Sequence, residues 1–421
     1  MRHISKLNNF ICIILAAATI TACGKSDATE AQAAAEQSLQ EQAVLAEVYD
    51  QMEIEDAQPE LTPEPTPEPT PEPTPEPTPQ TVNIRMVGDI LLHDRVEASA
   101  RNEDGEYDFS VIFENVKEDI EAADIAIVNQ EVIIGGEELG VSGYPAFNAP
   151  TEIGDALTET GFDVIAHATN HAMDKGRKGI LNTLEYWDTN SGAVPIGIYD
   201  TEEESHNIYV AEVNGIKIAI LNYTYGTNGI CLPSDMPYAV NLLKEDKVRE
   251  DIRKAHEEAD FVIVCPHWGT EYRLTPDSMQ EKWTKIFLEE NVDLVIGTHP
   301  HVIENIEMLE DEDSEMLVYY SLGNFVNWTS GEGEGVYRRM VGGMADVTIG
   351  LDENGEAIIT DYGVEALVTD LTEGYNGVST YRLSDYTKEQ AELNLIRKQD
   401  SNFSYDSIHE LCDQVWGDLW Y

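Results

Sequence analysis

Asp293-Leu294-Val295-Ile296-Gly297-Thr298-His299-Pro300-His301 runs from a short apolar, β-branched stretch straight into two imidazoles. Such a stretch reads as a buried strand, and its end delivers side chains that bind metal. The pattern recurs along the chain. Asp89 closes the alternating strand Thr81–Val87, and Asn129 and Glu131 follow the strand Asp124–Val128. Asn170 and His171 follow Asp163–Ala166, and His267 follows Phe261–Val264. In open α/β folds, ligands bind outside the carboxyl ends of the strands. One strand end of this kind would carry little weight, but five in an Asp/Asn/Glu/His palette predict a site for two divalent metal ions, of manganese, iron or zinc.

Between these strands the spacing predicts helices at Ser110–Ala123, Thr151–Thr160, Gly176–Asn190, Lys244–Glu258 and Asp277–Glu290. Asn214-Gly215 between Tyr209–Val213 and Ile216–Asn222 is a hairpin signal. From Met316 the pattern turns to strands: Met316–Leu322, Val341–Leu351 and Ala357–Val368. Alternating helices and strands with a strand-rich end predict a layered α/β sandwich with mixed sheets over residues 81–370. Residues 371–421 lose the pattern and are set apart as an extension that either packs on the domain or stands as an appendage.

The front of the chain is different. Arg2 and Lys6 precede the apolar stretch Phe10–Ile20, which has the form of an export signal and is too short for a permanent bilayer span. Ile20-Thr21-Ala22-Cys23 resembles a bacterial lipobox, which makes Cys23 the expected lipidation site and residues 1–23 a lipoprotein signal. Residues 24–80 join an Ala/Glu-rich stretch to Pro-Glu-Pro-Thr repeats. Proline at every second position excludes helix and sheet, leaving a stiff spacer that extends by about 3.1 Å per residue. The expected location is therefore outside the cytoplasm, anchored by lipid to the bacterial membrane. The formal net charge of −55 excludes nucleic acid as a partner, because backbone binding needs clustered Lys and Arg. Cys231, Cys265 and Cys412 form no zinc-like spacing and imply no disulfide framework.

Each candidate residue has a chemical reason. In an extended chain His299 and His301 would project on the same side, roughly 6–7 Å apart. Asp89 suits a hard or borderline ion, Glu131 can bridge two ions, and Asn170 offers a neutral oxygen. His267 completes the ligand set, with His93 a further candidate four residues after Asp89. His171 is placed to act as a general acid and Asp174 to orient its ring. Asn129, Tyr225, Trp268, Glu271, Arg273 and Asn324 are candidates to line a substrate groove. Arg338-Arg339 is a compact basic pair that either is a solvated surface pair or meets a phosphate or a carboxylate.

Taken in order, the GD, NQE, TNHAMDKG, HWGTEY, GTHPHVIE and YSLGNF stretches over residues 81–345 resemble the bacterial capsule-synthesis CapA (poly-γ-glutamate synthesis) family. That family is similar in fold to calcineurin-like metallophosphoesterases, so the resemblance implies an α/β/β/α sandwich. It implies Asp89, Glu131 and His301 at one ion, Glu131, Asn170, His267 and His299 at the other, and His171 as the acid. Two positions depart from the phosphoesterase pattern. No Asp-x-His begins at Asp89, and Glu131 stands where a bridging Asp is usual. The implied role is making or attaching an anionic envelope polymer such as poly-γ-glutamate, by hydrolysis or transfer, alone or with membrane synthase subunits. A non-catalytic polymer-binding or synthase-accessory module on the same fold is the alternative.

Overall fold

The computed structural model describes residues 80–190, 192–311 and 314–421, and all of them fall in one packed unit, Glu76–Tyr421. The signal stretch, Cys23 and the proline repeats lie outside the described residues. Among the described residues, no helix is long and apolar enough to cross a membrane.

The strands begin with β1 (Thr81–Leu91), β2 (Ile125–Gln130), β3 (Val164–Ala166), β4 (Val194–Ile196), β5 (Tyr209–Val213), β6 (Ile216–Thr224) and β7 (Phe261–His267). They continue as β8 (Leu294–Ile296), β9 (Ile306–Glu310), β10 (Glu315–Tyr319), β11 (Asn324–Asn327), β12 (Val341–Leu351), β13 (Ala357–Leu371) and β14 (Val378–Arg382). One sheet runs β14-β13-β12-β1-β2-β3-β4, with β11 added to the end of β1; the other runs β5-β6-β7-β8-β10-β9. Both sheets are mixed. Strands β1 to β4 are parallel neighbours and β12 to β14 are antiparallel, while β6, β7, β8 and β10 are parallel between antiparallel edge strands.

The period-2 alternation of side chains builds the layers. Ile218, Ile220, Ile263, Cys265, Leu294 and Leu317 join the core shared with the first sheet, while Ala219, Leu221, Val262, Val264, Val295 and Val318 join a separate core with the helices Glu245–Glu258 and Ser278–Glu289. Cys265 Sγ meets Met86 Sδ at 3.6 Å across the interface between the sheets. On the far side of the first sheet, Ile112, Phe113, Ile153 and Leu157 bring in the helices Ser110–Phe113 and Glu152–Thr160. The expected layered α/β/β/α arrangement is the one observed.

Local departures have local causes. The helix expected at Ser110–Ala123 is two short ones, Ser110–Phe113 and Lys117–Glu121, because Val116 leaves helical geometry at ψ −1° with φ −123°. Strand β4 carries Pro195 and gave no strand signal; it occupies the sheet edge, where a missing N–H is tolerated. The hairpin formed as read, with φ of 53° at Asn214 and 83° at Gly215. Residues 371–421 do not stand apart. β14 pairs with β13, and Leu383, Phe403, Ile408 and Trp416 lie in the main core. Trp416 Nε1 donates to the Glu304 carbonyl, so the C-terminal helix Tyr405–Trp416 reaches the segment that bears the imidazole pair.

Candidate metal centre

The carboxyl ends of β1, β2, β3 and β7 and the segment after β8 meet at one place. Gly88 makes this convergence possible, since a Cβ there would lie 2.0 Å from the Gly323 carbonyl oxygen. β1 slips register beside Asp89 against both β2 and β11, the irregularity that re-aims side chains near sites. Asp89 is fully buried. It accepts from Asn129 Nδ2 at 2.8 Å and from the His299 backbone N–H at 3.2 Å.

Glu131 stands at the middle. Its Oε1 lies 3.7 Å from His301 Nε2, 3.8 Å from His267 Nε2 and 3.9 Å from His171 Nε2. None of these is a hydrogen bond, and both carboxylate oxygens are buried without any partner, as is His299 Nδ1. Buried polar atoms in a settled fold have partners, so a group of this kind calls for a ligand. Two ligand sets satisfy the geometry of an ion, Glu131 with His267 and His299, and Asp89 with Glu131 and His301; the ligand atoms of each set lie within 4.8 Å of one another. Atoms bound to one ion at about 2.0–2.2 Å sit roughly 3–4 Å apart, which matches the spacing around Glu131 and not that of hydrogen bonds. The residues present therefore fit bound metal, with Glu131 common to both ligand sets.

Electrostatics favour ligation by two of the imidazoles. Burial, reinforced by neighbouring imidazoles, holds His267 and His299 well below the usual histidine range, so both are neutral and able to ligate. Burial raises Glu131 well above the usual carboxylate range, opposed by His301 and reinforced by Asp89. Burial would lower His301 too, but Glu131 and Asp89 outweigh it and push it up to about 9.

Other side chains hold these in place. His267 Nε2 is 3.0 Å from Asn170 Oδ1, and its Nδ1 is 3.0 Å from Thr298 Oγ1. His171 donates from Nδ1 to Asp174 Oδ2 at 2.7 Å, which leaves Nε2 toward Glu131. The same Asp174 oxygen accepts the Phe147 N–H, and the Phe147 ring stands edge-on to His171 at 4.7 Å. Tyr225 covers His299 at 4.7 Å between ring centroids.

Several expectations change. His299 and His301 are not in an extended chain, for their φ values are 100° and 57°. The segment bends there, and the rings converge at 5.8 Å through the turn. His93 lies outside both ligand sets; it precedes the helix Asp94–Ala100 at the N-cap position without a side-chain capping bond, its ring edge-on to Phe147 at 5.3 Å. Trp268 cannot line a groove, because it is fully buried against Phe287 and Tyr320 and donates to the Tyr320 carbonyl. Asn129 and Asn324 are buried behind the ligands, Asn129 on Asp89 and Asn324 on His301 Nδ1 at 3.0 Å. Arg273 is exposed, donates to Thr275 and acts on Glu304 and Asp277. Glu271 is exposed at the mouth, where its charge reaches Glu131, His301 and Tyr225. Thr298 and Phe147 were missed. Thr298 could have been read from its place beside His299, whereas Phe147 gave no signal.

Residues 83–329 match the family described as bacterial capsule synthesis protein PGA_cap. The capsule biosynthesis protein CapA of Bacillus anthracis is 31% identical over 191 residues, 43% of this chain and 45% of that one. The PGA biosynthesis protein CapA of Bacillus subtilis (strain 168) is 33% identical over 187 residues, 41% of this chain and 45% of that one. The chain thus spans under half the length of these curated relatives. Among solved structures, a putative 5′-nucleotidase from Staphylococcus aureus is 14% identical with a TM-score of 0.42, covering 67% of this chain and 54% of that one.

Proposed function

The chain belongs to the bacterial capsule synthesis protein PGA_cap family, and we propose that its domain is a metal-dependent hydrolase or transferase acting in the synthesis or attachment of an anionic envelope polymer such as poly-γ-glutamate. The carrying observation is Glu131, whose two buried oxygens lack partners and which belongs to both ligand sets. Asp89, Glu131 and His301 would hold one divalent ion, and Glu131, His267 and His299, with Asn170 adjoining, the other. When bound, such a pair supplies Lewis acidity toward a phosphoryl or carbonyl oxygen and makes a nucleophile available near neutral pH.

The remaining chemistry belongs to the chain. His171, in its doubly protonated form, is the proton donor to the leaving group: Asp174 accepts from Nδ1–H, balances the ring's charge and turns Nε2–H toward the ligand cluster, and after transfer the ring is left neutral with its hydrogen on Nδ1. Asp174 fixes the ring's orientation, and Phe147 blocks rotation from the side. Tyr225 shields His299 from bulk water. Anchorage through Cys23 and the proline spacer would hold this domain at the outer membrane surface within reach of polymer and of synthase subunits.

The test uses purified full-length chain. Asp89→Ala and His267→Ala should each lose bound divalent metal on dialysis, while His171→Ala should keep it and hydrolyse a generic phosphoester with kcat about 10²–10⁴-fold lower. A wild-type chain that binds no divalent ion would overturn the reading. Metal binding without turnover would replace it with the polymer-binding accessory module.

A further inference from the structure

Arg339 sits at the mouth of the centre on the turn Val336–Met340, and two separate paths tie it to His301. Through the backbone, its carbonyl accepts from Asn324 Nδ2 at 2.9 Å, and the same amide's Oδ1 is 3.0 Å from His301 Nδ1. Through the side chain, the guanidinium carbon lies 3.6 Å from the centroid of the Tyr272 ring, which in turn leans on the His301 ring at 6.0 Å. Tyr272 is itself fixed, with φ of 66° and its N–H donated to the Pro300 carbonyl at 2.7 Å.

This cation is held without a counter-charge. Among the described residues Arg339 enters no salt bridge, which it shares with Arg95, Arg101, Arg273, Arg338 and Arg397; what sets it apart is its place over Tyr272 beside His301. Its Nη1 donates to Thr329 Oγ1 at 3.2 Å, leaving most of a five-donor fork unused. An arginine without a carboxylate partner, held over an aromatic ring beside a cluster of metal-type ligands, is placed for an anion from outside. Its charge also reaches His93 across the mouth, where it adds to the burial that lowers that ring to about 4. Glu271, next to Tyr272, is the acid of this rim and sets a limit on how much negative charge enters on that side.

We propose that Arg339, backed by Tyr272, binds an oxyanion of the substrate, phosphate or carboxylate, next to the group that reacts at the metal centre. The proposal rests on the metal-centre reading and adds the substrate-recognising cation. Wild-type chain, Arg339→Gln and Arg339→Lys would be titrated calorimetrically with inorganic phosphate and, separately, with a short γ-linked oligoglutamate, after loading with manganese and after chelation, with metal content measured in parallel. Arg339→Gln should weaken at least one probe by about tenfold or more, with metal content unchanged and partial recovery in Arg339→Lys. Loss confined to phosphate assigns a phosphoester, and loss confined to oligoglutamate assigns the polymer carboxylate. Unchanged affinity for both probes, no binding of either by the wild type, or loss of metal alongside the anion overturns the proposal. If wild type takes up no manganese yet Arg339→Gln still weakens phosphate, the metal reading falls and the anion site stands.

Discussion

Asn324→Ala separates two roles that the sequence could not distinguish. A groove-lining asparagine would change substrate affinity and little else. The structure instead buries Asn324 on β11, in register with Asp89, where its Oδ1 meets His301 Nδ1 and its Nδ2 donates to the carbonyls of His301 at 3.1 Å and Arg339 at 2.9 Å. Truncation removes three buried hydrogen bonds, each worth about 1 kcal/mol net, and leaves the His301 carbonyl without this donor at a further cost of roughly 1–3 kcal/mol. The expected loss is about 4–6 kcal/mol of stability. With an unfolding entropy near 2.1 cal/mol/K per residue, that lowers Tm by roughly 6–8 °C for a domain of this length. Because Asn324 orients a ligand ring, divalent-ion affinity should also fall about 10–100-fold. Thermal unfolding with chelator gives the first quantity, and calorimetric titration with manganese gives the second. Unchanged metal affinity and Tm, with weakened phosphate or oligoglutamate binding, would refute the positioning role and return Asn324 to the groove.

Three further outcomes follow from the same geometry. Glu304 is fully buried and burial pushes it from 4.5 to about 8, with Gln280 opposing and Asp277 adding; a carboxyl raised in the folded state takes stability away as pH climbs from 4.5 to about 8, by at most roughly 5 kcal/mol at 1.36 kcal/mol per pH unit. Glu304→Gln should therefore flatten the fall in urea midpoint between pH 5.5 and 8, and parallel slopes would count against it. Trp268→Phe removes the donor to the Tyr320 carbonyl and should cost about 1–3 kcal/mol by denaturant titration, with anion affinity unaltered; weaker anion binding at unchanged stability would contradict its place in the core. Chelation of manganese-loaded protein at a thousandfold excess of ion over Kd should remove about 4 kcal/mol of stability, read as a lower Tm that Glu131→Gln no longer shows.

The strand ends were legible because β2, β3, β7 and β8 are short apolar runs whose buried course stops where polar, metal-type side chains begin. Asp89, Glu131, His267, His299 and His301 could be read from that logic, and they converge in the fold. What failed was side-chain direction across long sequence separations. Trp268 follows His267 immediately, yet the pleat that sends His267 into the site sends Trp268 into the core beneath. His93 is close to Asp89 in sequence, but the chain turns into a helix there and carries the ring to Phe147. The His299–His301 pair was assigned the right neighbours by the wrong backbone, since convergence comes from two positive φ angles that a motif of letters does not encode. Arg339 was visible as a basic residue; its stacking on Tyr272 depends on the turn after β11, which had no periodicity to announce it.

On the proposed reading, charge explains why both kinds of cation belong at this mouth. The ligand cluster sets Asp89 beside His301, which the carboxylates push up to about 9, while burial disfavours charge on Glu131 and keeps His267 and His299 neutral. Without ions, then, the cluster is no attractor of anions, and the acidic chain around it repels them. Two divalent ions would add four positive charges to this nearly balanced pocket, and only where the ligands converge. Arg339 does not depend on that loading, for its charge is permanent and its posture is fixed by Tyr272 and Asn324. An anionic polymer would therefore meet a fixed cation that selects one oxyanion and an ion-dependent charge that accepts the reacting group beside it. Affinity for a single phosphate should track metal loading, while discrimination between ligands that carry a second anionic group and those that lack one should track Arg339.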